Sequence, residues 1–128
     1  MIQMKKEDLH SQIYSLVIPK EILVSFEIDH IQESEEIVEI VLIEKELIPA
    51  QLTGKQAVLN GYMNPVELQS YPIQGRKCYL KLKRRRWKVQ GTRDSTNCYN
   101  EYDFAAEGTK ATKMFGAFLK ENGYEIPI

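Results

Sequence analysis

Between Arg76 and Arg93 the chain carries nine basic side chains and no acid: Arg76, Lys77, Lys81, Lys83, Arg84, Arg85, Arg86, Lys88 and Arg93. The chemistry such a run can do is anion binding. An arginine presents five N–H donors in a planar fork that fits a phosphate bidentately, whereas a lysine adds a mobile point charge. Lys77, Lys81, Lys83, Arg84, Arg85, Arg86, Lys88 and Arg93 are therefore the candidate contacts to several phosphates along one side of a DNA duplex. Backbone contacts of this kind fix position without reading bases. The alternative is a solvated strand face whose charges prevent edge-to-edge aggregation, or one that docks on acidic side chains of the same chain.

The global balance conceals this run. With 17 Lys+Arg against 18 Asp+Glu the formal charge of the 128 residues is −1. Residues 1–70 nevertheless sum to −7 and residues 71–128 to +6. Patches rather than totals govern binding to a polyanion. A single domain is expected over 1–128, with an acidic helix-and-strand half (1–65) and a basic hairpin and C-terminal helix (66–128). At 43% hydrophobic residues the chain can build one core. Its longest apolar run, Ile40–Ile43, is far short of the roughly 20 residues that span a bilayer, so no membrane partner is expected. Met1–Lys6 leads into an acidic stretch rather than an apolar core with a cleavage site, and a cytoplasmic, reduced protein is expected.

Other chemistry is poorly represented. Cys78 and Cys98 form no Cys-x-x-Cys pair, and a four-ligand zinc site would need the distant His10 and His30. Neither a metal nor another cofactor is implied. Glu33, Glu35, Glu36 and Glu39 read as a turn and a solvated strand face rather than as a paired-carboxylate site. No phosphate-cradling glycine loop, nucleophile elbow or His-Glu-x-x-His pattern occurs, so an enzyme is not expected. Cys78 reads as a small buried hydrophobe and Cys98 as an unpaired loop thiol. The aromatics of Tyr99-Asn100-Glu101-Tyr102-Asp103-Phe104 could stack bases, but beside three acids they fit better as packing of a loop onto a sheet.

The elements that must position the basic run follow from periodicity. Leu9, Ile13, Leu16 and Val17 fall at helical spacing up to Pro19. A strand is predicted over at least Phe26–Ile31, with Lys20–Val24 left open to helix, then a polar turn at Glu33–Glu36 and a partner strand at Ile37–Glu44. Residues 47–65 are predicted to be irregular. A hairpin should run from about 66 to 89, with its turn at Pro72–Gly75 and Arg76–Val89 as the longest strand. After a polar loop at Gly91–Asn100, Thr109 or Thr112 caps a helix with Ala111, Met114, Phe115, Phe118 and Leu119 on one face, ended by Asn122-Gly123. The fold class is therefore α+β, a small antiparallel sheet flanked by an N-terminal and a C-terminal helix.

Parity along the basic strand carries one more inference. Cys78, Leu80 and Leu82 share one face, and Tyr79, Lys81 and Lys83 the other. Continued unchanged, that register would put Trp87 on the charged face, so the phase must slip inside Arg84-Arg85-Arg86. A bulge or strand end near Arg85 turns Trp87 inward and should fan the guanidinium groups outward.

The stretch Ser70-Tyr71-Pro72-Ile73-Gln74-Gly75, followed by Arg76–Trp87, resembles a segment of insertion-sequence transposases. There a turn of the form D-[YFL]-P-I-x-G precedes a strand ending in three arginines and an aromatic. Ala106–Thr112 and Phe115–Lys120 resemble the next segment of the same proteins. The resemblance covers about residues 20–122 and is strongest at 70–87 and 104–120. It implies a separately encoded or truncated N-terminal region of such a transposase. It also implies a zinc-ribbon-like hairpin from which the metal site is lost, since Cys98 alone stands where two Cys-x-x-Cys pairs belong. Trp87, Tyr79, Leu80 and Leu82 would then hold the core. Relatives continue into a helix-turn-helix, of which 109–121 would be at most the first helix, and into a catalytic domain with three carboxylates and Mg²⁺. The expected partner is DNA at transposon ends. A transposase catalytic subunit is the alternative partner, and a second copy of this chain could pair through the apolar face of the last helix.

Overall fold

Apolar side chains at every second position of Val38–Leu42 and Cys78–Leu82 mark two strands that lie side by side at the centre of one sheet. In the computed structural model, which describes residues 5–91 and 97–128, the order is α1 (Lys6–Val17), α2 (Lys20–Leu23), β1 (Phe26–Glu33), β2 (Ile37–Glu44), β3 (Ala57–Tyr62), β4 (Val66–Ile73), β5 (Arg76–Lys83), β6 (Arg85–Val89) and α3 (Lys113–Glu121). The fold is α+β, with helices at both ends. A four-stranded sheet has the order β1-β2-β5-β4, and β3 and β6 form a second, two-stranded sheet.

The large sheet is mixed rather than purely antiparallel. β1–β2 and β4–β5 are antiparallel hairpins, but β2 and β5 run parallel, from Ile37 opposite Lys77 to Ile43 opposite Lys83. This register stacks the apolar sets of both strands on one face. Val38, Ile40, Leu42, Cys78, Leu80 and Leu82 are buried there, with Phe26 of β1 and Leu68 of β4. Ile18 and Ile22 cover one part of this face, and Tyr102, Phe104 and Ala105 pack against it. The aromatic run after Gly91 thus does pack onto the sheet: Phe26 meets Tyr102 and Phe104 edge-on at 5.2 and 6.0 Å. The other face is open. Among the described residues only Val41 is deeply buried on it, at 3% exposure.

Several boundaries differ from the expectation. β4 continues through Ile73, and the turn shrinks to Gln74-Gly75, both with positive φ (50° and 76°), the backbone that a two-residue hairpin turn demands. Lys20–Leu23 is helical, which resolves the open reading in favour of helix. Within the stretch expected to be irregular, Ala57–Tyr62 is a strand. Its partner β6 lies some thirty residues away, and its register shifts between Leu59 and Tyr62, around Gly61 at φ 79°. Arg76–Val89 is two strands, with the break at Arg84. That break delivers the phase slip: Trp87 is buried, held between Leu59 of β3 and a backbone bridge to Cys98.

The last helix docks on the edge of β4, where Gln69 exchanges backbone bonds with Lys110 and Thr112 (2.8 and 3.0 Å) and Tyr71 packs against Phe115. Ala111, Phe115 and Leu119 are buried as expected, whereas Met114 is 69% exposed and Phe118 is partly exposed, its ring between those of Tyr71 and Tyr124. Thr112 is the N-cap residue, yet its hydroxyl makes no capping bond. The Thr109 hydroxyl instead accepts from the Ala111 N–H (3.1 Å).

Gly116 sits inside α3, where alanine would ordinarily stabilise the helix by about 1 kcal/mol. A Cβ there would lie 2.6 Å from the Cβ of Ala106. Gly116→Ala should therefore destabilise the chain, by about 1–3 kcal/mol in chemical denaturation. Adding Ala106→Gly should restore most of the loss.

Candidate nucleic-acid interface

Strand parity sets where each basic residue goes. Lys77, Lys81 and Lys83 project with Tyr79 from the open face of β5. On this face Lys81 stands opposite Glu67 of β4 and Val41 of β2, Tyr79 opposite Gln69 and Glu39, and Lys83 opposite Ile43. The face is consequently mixed in sign. Arg76 is consumed by the protein itself, pairing with Glu33 at 3.1 Å and donating to the Ser34 carbonyl at 3.3 Å. Lys88 stands on β6 opposite Val58, and Arg93 lies outside the described residues.

The three consecutive arginines do not fan outward as expected; they are half-buried and diverge. Arg84 donates from Nη1 to the Asn100 carbonyl (3.1 Å), its guanidinium 5.0 Å above the Tyr99 ring. Arg85 donates from Nε to the Glu44 carbonyl (2.7 Å) and lies 5.7 Å from the centre of Tyr62. Arg86 donates from Nε to the Asn60 carbonyl (3.1 Å) and passes over Gly61, where a Cβ would come within 2.9 Å of its Nη2. Gly61 is thus required both by its positive φ and by that close approach.

These anchors are neutral carbonyls, so the cationic charge is retained. Among the described residues, no carboxylate lies within ion-pair distance of Lys77, Lys81, Lys83, Arg84, Arg85, Arg86 or Lys88. The ion pairs there are Arg76–Glu33, Lys113–Asp103 and the neighbours Asp29–His30. In particular, Glu35, Glu36 and Glu39 do not pair with the arginines.

Beneath the arginines lies a residue that periodicity arguments about charge had passed over. Glu44 ends β2 on the buried parity and is 0% exposed. Its Oε1 accepts the backbone N–H of Arg85 (2.9 Å), and its Oε2 accepts from the Asn100 amide (3.2 Å) and from the Tyr102 hydroxyl. Asn100 spends its amide a second time on the Leu47 carbonyl (2.7 Å). Burial, followed by the hydrogen bond to Glu44 and its negative charge, pushes the Tyr102 phenol well above its usual range. The signal was available: Glu44 continues the even-numbered series Val38, Ile40, Leu42 that faces the core.

The cysteines are far apart in environment. Cys78 is fully buried in the core, and burial pushes its thiol up to about 11. Cys98 is half-buried beside Trp87. The hairpin β4–β5 is therefore embedded in a larger sheet and held by apolar packing, not free-standing as a ribbon. No family model matches the sequence, and no curated protein or solved structure matches it.

Replacing Glu44 with Ala removes the acceptor of three part-buried donors, of which the Asn100 amide keeps a second bond, to the Leu47 carbonyl. A buried donor left unpaired costs about 1–3 kcal/mol. Glu44→Ala should lower stability by about 3 kcal/mol or more, measured by denaturant midpoint, and Glu44→Gln by less. At about pH 8 a thiol reagent should label Cys98 promptly and Cys78 only on unfolding. Because the folded thiol of Cys78 keeps its proton where the unfolded one loses it, its contribution to stability is complete below about pH 9. That contribution falls as the pH rises toward about 11. The alkaline loss should be smaller in Cys78→Ala than in the parent chain.

Proposed function

We propose that the chain is a DNA-binding module that grips the phosphate backbone along the β5–β6 run, as an N-terminal or accessory part of an insertion-sequence transposase acting at transposon ends. The observation that carries the binding half is the series of seven cations without a carboxylate partner among the described residues. Lys81, Lys83 and Lys88 supply mobile charge. Arg84, Arg85 and Arg86 supply charge already tethered to backbone carbonyls, so less side-chain entropy is lost when a phosphate arrives. Such contacts are indifferent to sequence. The transposon half rests on the resemblance of residues 70–87 and 104–120. On this reading the module binds and does not catalyse.

A second reading is favoured by α1. Leu9, Ile13 and Leu16 are exposed there, a surface suited to docking on a protein such as a separate catalytic subunit.

Fluorescence anisotropy with a labelled duplex separates the two. Binding should weaken steeply from about 50 to 200 mM salt, with a log–log slope of about −0.9 per phosphate contacted. The triple substitution K81A/K83A/K88A should flatten that slope by up to about three contacts, uniformly across duplex sequences and without loss of fold. Absence of binding at about 50 mM salt, or a slope untouched by the triple substitution, would sink the DNA reading. The protein-docking reading would then stand.

A further inference from the structure

With Phe115 and Leu119 of α3 buried, the other apolar side chains of that helix join a surface patch. Met114 shares a hollow with Tyr71 of β4 and Leu16 of α1, and the Tyr71 hydroxyl donates to the Met114 carbonyl (3.1 Å). The ring of Phe118 lies 5.6 Å from that of Tyr71, and Tyr124 stacks on Phe118 at 6.1 Å with planes 20° apart. Tyr124 is itself held by its backbone N–H on the Leu119 carbonyl (2.9 Å). These five side chains form one continuous apolar surface, with exposures from 40% at Tyr71 to 79% at Leu16. A large side chain covered completely loses about 150–250 Å², so the patch offers on the order of 500 Å². That is near the largest apolar patch an ordinary monomer exposes, about 300–600 Å². Two such patches face to face bury about 1,000 Å², the lower bound of a specific interface.

We infer that this patch pairs two copies of the chain about a two-fold axis, with their α3 helices antiparallel. In that arrangement the patch complements itself. Met114 and Phe118 are one turn apart on the same side of the helix, so Met114 of each copy meets Phe118 of the other, a thioether against a ring. Glu121 continues that side. It is carried to the first turn of the other α3, where the unbonded N–H groups and Lys113 are positive. The existing pair of Lys113 with Asp103 (3.4 Å) is exposed and weak. No residue of the patch belongs to β5 or β6, so pairing leaves the cationic run free and does not depend on DNA binding. Leu16 borders the patch, whereas Ile13 of α1 lines a separate hollow with Ile31 and Ile73.

The test is sedimentation velocity of the full chain over a concentration series, in about 50 mM and about 500 mM salt. A monomer–dimer equilibrium should appear, with a dissociation constant on the order of 10–100 µM that the added salt changes by less than about threefold. Met114→Lys replaces a side chain already mostly in water, and should weaken pairing at least about tenfold with the denaturation midpoint unchanged. Glu121→Lys should weaken it severalfold at the lower salt. Should Met114→Lys not fold, Phe118→Ser with the same midpoint control decides the matter. A monomer at about 500 µM, species larger than a dimer, or association abolished by high salt would overturn the proposal. A dimer that Met114→Lys leaves intact, or that Leu9→Lys/Ile13→Lys removes in its place, would overturn it equally. An unmoved constant in Glu121→Lys would refute the antiparallel arrangement.

Discussion

A single carboxylate, withdrawn completely from water at the end of β2, ties the end of that strand to β6 and to the stretch around residues 100–102. Burying an ionisable group in an apolar interior is strongly unfavourable unless its oxygens are filled with donors. Glu44 meets that demand with three: the first backbone N–H of β6, the amide of Asn100 and the hydroxyl of Tyr102. The partners come from two segments, β6 and the stretch that carries Asn100 and Tyr102. Satisfying the charge therefore fixes where the second sheet departs from the first, and draws the segment after residue 97 down onto the aromatic side of the core. The segment that carries Tyr102 also supplies the stacked rings beside Phe26, so polar and apolar constraints point to one arrangement.

This constraint also divides labour within the basic run. The chain direction changes at Arg84, and three guanidinium groups close that corner by capping the carbonyls of Asn100, Glu44 and Asn60. Arginine can do this while staying charged, because a neutral carbonyl takes one of its five donors and leaves the guanidinium cationic. Lysines, which lack a fixed fork, occupy the strand positions where a freely moving charge suffices. The run is thus a structural hinge and a cationic surface at once, and the arginines belong to the first role as much as to the second.

The sequence was informative wherever structure is local. α1, the first hairpin, the β4–β5 hairpin with its Gln74-Gly75 turn and α3 each have periodic apolar positions or turn residues within a short window. The break at Arg84 was legible too, because Trp87 would otherwise face solvent. What could not be read was pairing at a distance. β3 has only Ala57, Val58 and Leu59 as a strand signal, and its partner is β6. The parallel match of β2 with β5 leaves no mark on either strand, because both look like half-buried strands whatever lies beside them. The direction of the arginine side chains depended on acceptors contributed by Asn60 and Asn100, residues that read as loop. Glu44 was legible by parity and was obscured by its many acidic neighbours.

The parallel pairing has a consequence for how the chain reaches this state. Ile37 must find Lys77 forty positions away, so the centre of the sheet closes only after a long loop has lost its freedom. On a ribosome adding about 5–20 residues per second, β1–β2 emerges roughly two to eight seconds before its companion. During that interval the hairpin carries Val38, Ile40 and Leu42 along an unmatched edge. Newly made chains are then most susceptible to joining one another, at the strand that later becomes the most sheltered in the molecule.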